Sequence, residues 1–175
     1  MIADTEEQNR TKSRAVLVVG VDFTDVSEHL VHTARALART VDEAELHFVH
    51  VVAPPSVAIL SSESLSTAMF VEGEEVDAAR GALVRMCSLV SDDACVQVFV
   101  HTPVGRTCES LTEIARRLEA DLVVVEAHDH SRQSPLRRVF HRSTAAQLAR
   151  SAPCSVLTVR TRDGVRGGRE LRVSA

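Results

Sequence analysis

The stretch DLVVVEAHDHSRQSPLRRVFHRS, Asp121 to Ser143, passes from a run of apolar residues into a segment dense in groups that can do chemistry. His128, Asp129 and His130 alternate imidazole and carboxylate, and His101 and His141 are further nitrogen donors. A zinc site needs three or four ligands converging at about 2 Å. One HxH step supplies two, so His128 and His130 are candidates for ligation while no metal is expected; the alternative is exposed loop histidines. Arg132, Arg137, Arg138 and Arg142 carry guanidinium forks that fit the oxygens of a phosphate, or else form a solvated charged loop. In a doubly wound α/β protein, ligands sit just past the carboxyl ends of strands, which is where this segment would lie.

No catalytic constellation accompanies these groups. There is no Walker loop, no GxSxG elbow and no glycine-rich fingerprint after the first apolar run. A phosphorylated receiver domain would need a lysine late in the chain, and Lys12 is the only lysine. His47 and His50 fall on opposite faces of an apolar segment by its period of two, with packing and hydrogen bonding as sufficient roles. His29 and His32 read as exposed helix positions.

These groups must be held by a core, and the composition allows one. The 175 residues are 45% apolar and 25% charged, enough for one domain without disulfide or metal support. Aromatic residues make up 3%, with no Trp or Tyr, so Val, Leu, Ile and Ala fill the interior and base stacking is disfavoured. The formal charge of −4 argues against nucleic acid as a partner. Cys87, Cys95, Cys108 and Cys154 form no CxxC pair and lie in or beside apolar segments, as expected of buried reduced thiols in a cytoplasmic protein. The N-terminal MIADTEEQNRTKSR is too polar for a signal peptide, and no apolar run is long enough to span a membrane.

Five short Val-rich runs predict strands: AVLVVGV from Ala15, ELHFVHVV from Glu45, CVQVFVH from Cys95, DLVVVEA from Asp121 and SVLTVR from Ser155. The first and fourth are almost continuously apolar, as parallel strands buried on both faces must be. Between the runs, Val26, Leu30, Ala34, Leu37 and Ala38 trace a helical stripe, with Asp25 and Glu28 at its start. Val76, Ala79, Leu83, Met86 and Val90 trace a second stripe, and Leu111, Ile114, Ala115 and Leu118 a third. A short fourth helix is predicted from about Ser143 to Ser151, ended by Pro153. Alternating strands and helices imply right-handed crossovers and helices on both faces of one doubly wound parallel sheet. Pro54 to Val71 follows no regular period and reads as a long connection, a mobile flap or one carrying a short helix. Residues 1–13 and 161–175 read as flexible termini around one domain at 14–160.

Three segments together resemble the universal stress protein family: VLVVGVDFTDVSEHLVHTARALA, AELHFVHVVAPP, and EADLVVVEAH with RSTAAQLARSAPCSVLTVR. The resemblance spans residues 14 to 160 in the family's order, with VGRTCESLTEIARRLEADLVVV in the expected place. It implies an adenine nucleotide α-hydrolase-like five-stranded sheet of order 3-2-1-4-5. It also implies a homodimer, formed through the last strand, Ser155 to Arg160.

Members that bind ATP carry a glycine pattern after the fourth strand, because backbone N–H groups must approach the phosphates closely. Here Glu126 and Asp129 stand at the first two glycine positions and Arg142 at the third. Twelve residues, His130 to His141, lie between Asp129 and Arg142 where the pattern has nine. A carboxylate about 4 Å from a phosphate repels it by roughly 1 to 4 kcal/mol per unit charge. Other positions match the family: Val21 and Asp22 after the first strand, Val51 or Val52 after the second, and Ser143 and Thr144 at the last helix. For Asp22 and Ser143, helix capping is the alternative to ligand contact. The expectation is a regulatory or interaction module of the stress response, not an enzyme, with no cofactor and an unidentified protein partner. The alternatives are an adenine-nucleotide binder, with ATP held by Asp22, Val51, Ser143 and the arginines and hydrolysed slowly at most, and a metal binder through His128 and His130.

Overall fold

The computed structural model describes residues 14–24, 27–54, 62–90, 92, 94–126 and 144–160, with 62–72 described by backbone alone. The predicted strands form where Val runs let β-branched side chains pack on a pleated surface. They are β1 (Ala15–Gly20), β2 (Ala44–Val49), β3 (Val96–His101), β4 (Leu122–Glu126) and β5 (Ser155–Val159). All pairings are parallel and the order is β3-β2-β1-β4-β5, as expected.

Among the described residues four helices connect them: α1 (Ser27–Ala38), α2 (Ser62–Cys87), α3 (Thr107–Arg117) and α4 (Thr144–Ser151). Alternation along β1 divides the core in two. Leu17, Val19 and Val21 pack with Leu46 and Phe48 under α1 and α2, through Leu30, Val31, Ala34 and Leu83. Val16 and Val18 pack with Val123 and Val125 under α3 and α4, through Leu111, Ile114, Ala115 and Leu148. Phe48 is fully buried, which favours the fold by about 1.5–3 kcal/mol.

Two expectations need correction. The connection from Pro54 to Val71, read as a mobile flap or a link carrying a short helix, is helical from Ser62, as the first turns of a 26-residue helix. An amphipathic C-terminal half buries Ala79, Leu83 and Cys87 against the sheet, and helix propagation needs no matching stripe further up. Of the four cysteines only Cys87 is buried; Cys108 and Cys154 are half-buried and Cys95 is exposed. Cys95 lies in the turn before β3, where the chain has yet to enter the sheet. Residues 1–13, Asp25, Val26, residues 127–143 and residues 161–175 lie outside the described residues.

Candidate functional site

The cleft expected past the strand ends forms between β1, β4 and α3. Its floor is Gly20 and Val21, and its walls are Val49, Val51, Leu111 and Val125, with Asp22, Glu126, Thr107 and Thr144 at the mouth. Gly20 is required by the packing: a Cβ there would stand 3.1 Å from both Leu111 Cδ1 and Val125 Cγ1. The cavity between these walls is about 60 Å³, small beside the roughly 300–1,000 Å³ of common small-molecule sites. Thr107 and Thr144 also line a polar groove of about 840 Å³ between α3 and α4, so the two spaces adjoin.

Glu126 dominates the mouth. It ends β4, is only 7% exposed, and turns its carboxylate toward the start of α1. Thr24 Oγ1 donates to Glu126 Oε2 at 2.7 Å, and Ser27 Oγ donates to Oε1 at 3.0 Å. Burial pushes the Glu126 carboxyl above the ordinary glutamate value, the two hydroxyl donors pull it back, and the neighbouring Asp22 raises it further. The result is a latch that ties the β1–α1 turn to the end of β4.

Asp22 belongs to the same turn. Its Oδ1 accepts from the Thr24 backbone N–H at 3.1 Å and stands 3.4 Å from Ser27 Oγ. The side chain therefore closes an Asx-type turn ahead of α1 and lines the cleft. Between them, Phe23 takes φ of 59°, an uncommon conformation for a bulky residue. Its ring packs on His50 at 4.3 Å between centroids, and His50 Nδ1 donates to the Val21 carbonyl at 2.9 Å. His50 thus fastens the turn from the β2 side, by packing and hydrogen bonding.

Of the two valines matched to the apolar contact, Val51 lines the cleft. Val52 does not: it pairs with Val104 in an isolated parallel bridge and lines a separate hollow beside Phe23 and α2. One step along an extended chain reverses the side chain, so Val51 and Val52 face different hollows. Thr144 opens α4 at the mouth, as expected. His128, Asp129, His130, Arg132, Arg137, Arg138, Arg142 and Ser143 lie outside the described residues. Among the described residues no group of three or more His, Cys, Asp or Glu is arranged to hold a metal, and no helix is long and apolar enough to cross a membrane.

A second polar cluster was not expected. His47 Nδ1 lies 3.0 Å from His101 Nε2, and His47 Nε2 lies 3.0 Å from Glu45 Oε2. His101 was weighed as a partner for His128; its observed neighbour is on the adjacent strand. Two histidines on strands adjacent in the order 3-2-1 were the available signal, but only the register, His47 opposite Phe99 and Val49 opposite His101, brings them together.

Residues 14–160 match the sequence model of the Universal stress protein family. The chain is 28% identical over 143 residues to Universal stress protein A homolog 1 of Coxiella burnetii, covering 82% of this chain and 94% of that protein. Among solved structures it resembles universal stress protein UspA from Lactobacillus plantarum, with TM-score 0.68 and 22% identity over 83% of this chain and 97% of that one. It also resembles a universal stress protein in complex with cAMP, with TM-score 0.59 and 22% identity over 85% and 98% of the two chains. With its sheet order, its cleft at the ends of β1 and β4 and this match over the whole described domain, the chain belongs to the universal stress protein family.

Proposed function

We propose that this stress-response family member works as a cytoplasmic, homodimeric regulatory module without catalytic turnover, whose cleft does not take ATP in the usual pose and which signals through a protein partner. The observation that carries this reading is the Glu126 carboxylate, buried at the end of β4 and held by Thr24 and Ser27 at the first glycine position of the nucleotide pattern. A triphosphate brought there would meet the charge of Glu126 and the nearby charge of Asp22, each repelling by roughly 1 to 4 kcal/mol at about 4 Å. Opening the latch would also break two hydrogen bonds to a carboxylate. The homodimer is supported by β5, which among the described residues pairs only with β4 and leaves an edge that a second copy could cover.

A second reading, an adenine-nucleotide binder, draws on Asp22, Val51 and Thr144 lining one cleft and on the related protein whose structure contains cAMP. Calorimetry with ATP and Mg²⁺ separates the two. The regulatory reading expects no saturable heat into the millimolar range, and micromolar binding that Asp22→Ala abolishes would overturn it.

A further inference from the structure

Ser27 Oγ stands between two carboxylates. It lies 3.0 Å from Glu126 Oε1 and 3.4 Å from Asp22 Oδ1, and a hydroxyl carries one hydrogen. With both acids ionised, one of these two oxygens therefore faces a lone pair of the hydroxyl. One added proton removes the conflict. Placed on Glu126 Oε1 it donates to Ser27 Oγ, the Ser27 hydrogen turns to Asp22 Oδ1, and Thr24 Oγ1 still donates to Oε2 at 2.7 Å. No heavy atom has to move. Asp22 is exposed, so solvent reaches the outer end of this hydrogen-bonded chain, while Glu126 is buried at its inner end.

Among the described residues Asp22 is the charged group that acts on Glu126. On β5, Val159 stands opposite Glu126, and Arg160, one step on, is exposed. Glu28, in the first turn of α1, is exposed as well. His50, just past β2, is engaged with the Val21 carbonyl on the other flank of the turn. The α3 and α4 sides bring only the hydroxyls of Thr107 and Thr144 to the mouth. Burial acts most strongly and favours the acid, as Asp22 does, whereas the Thr24 and Ser27 hydroxyls and the α1 N-terminus favour the ion. The balance leaves the carboxyl above the ordinary glutamate value, so the proton-bound form is present at 4.5 and lost as pH rises through the folded value.

We propose that Glu126 is a proton-operated gate on this cleft: ionised, it repels a phosphate group at the mouth, and with one proton taken from solvent through Asp22 and Ser27 it admits a nucleotide. The gate rests on the proposed exclusion of ATP by the ionised carboxylate and adds what lifts it. Protonation removes one of the two negative charges at the mouth and leaves the walls in place. Thr107 and Thr144, where the cleft meets the groove between α3 and α4, then supply hydroxyl donors to the phosphate that do not titrate.

The test uses cyclic AMP, whose phosphodiester keeps a single negative charge from pH 4.5 to pH 8, so that only the protein changes its ionisation. In calorimetry the wild type should bind it about tenfold more tightly at pH 4.5 than at pH 8, the effect of removing one nearby charge. Glutamine reproduces the protonated acid, its amide donating to Ser27 Oγ and its oxygen accepting from Thr24. Glu126→Gln should therefore bind cyclic AMP at pH 8 as tightly as the wild type does at pH 4.5. The Glu126 carboxyl carbon resonance of the unliganded protein reads the gate without that variant. It should titrate with a midpoint above 4.5, and Asp22→Asn should lower the midpoint. An affinity that does not rise as pH falls, a rise of equal size in Glu126→Gln, or a Glu126 midpoint at or below 4.5 would each overturn the gate. Micromolar ATP binding at pH 8 would instead overturn the exclusion beneath it, so the two failures are told apart.

Discussion

Ser27→Ala tests the latch at its most buried donor. Ser27 is 1% exposed and its hydroxyl donates to Glu126 Oε1 at 3.0 Å, with Asp22 as a longer neighbour at 3.4 Å. A hydrogen bond to a charged group contributes about 1.5–3 kcal/mol, and alanine returns up to about 0.5 kcal/mol in helix propensity. The net loss is about 1–2.5 kcal/mol at pH 8, which lowers the melting temperature by about 2–10 °C for a domain of this size. The loss should depend on pH with a definite sign. The Ser27 bond favours the ionised carboxylate, so its removal costs most where Glu126 is charged. Once Glu126 is protonated the lost bond is neutral, worth about 0.5–1.5 kcal/mol. Urea denaturation of both proteins from pH 4 to pH 8 reads this directly, with the loss growing as Glu126 ionises. Equal losses across that range, or no loss at pH 8, would refute the claim that Ser27 serves an ionised Glu126.

Three further outcomes follow from the same geometry. Glu126 has a raised folded-state pKa, so its contribution is fully present below the unfolded value near 4.5 and is lost as pH rises through the folded value; Glu126→Gln, which cannot ionise, should gain stability relative to wild type as pH rises from 4.5 to 8 in denaturation titrations. Gly20→Ala should cost about 1–3 kcal/mol by overpacking, because the new methyl meets Leu111 and Val125 at 3.1 Å, and chemical denaturation at wild-type stability would count against this seat for α3. Burial pushes the Cys87 thiol up to about 11, so a thiol reagent at pH 8 should label exposed Cys95 first and reach Cys87 only on unfolding.

Strand identity was legible because Val runs such as AVLVVG and LVVVE admit little else, and the alternation of runs with helical stripes carried the sheet topology. The start of α2 was not legible: SESLSTAMF has no single apolar face, and its helicity continues from the anchored turns at Ala79, Leu83 and Cys87. Glu126 was visible at a glycine position, but its partners were not. Thr24 and Ser27 lie 102 and 99 residues away and meet it only once β1 and β4 are adjacent. The choice between Val51 and Val52 turned on one step of chain direction past β2. The His47–His101 pair required the β2–β3 register, which composition and periodicity do not specify.

The proposed role of Glu126, held by Thr24 and Ser27, is to keep ATP out of the cleft between β1 and β4. Its most direct test is an amide NMR titration of the wild-type protein with ATP and Mg²⁺, following Val21, Asp22, Val51, Glu126 and Thr144. The latch predicts that these amides stay in place as ATP reaches millimolar concentration, whereas saturable shifts at these positions in the micromolar range would contradict it.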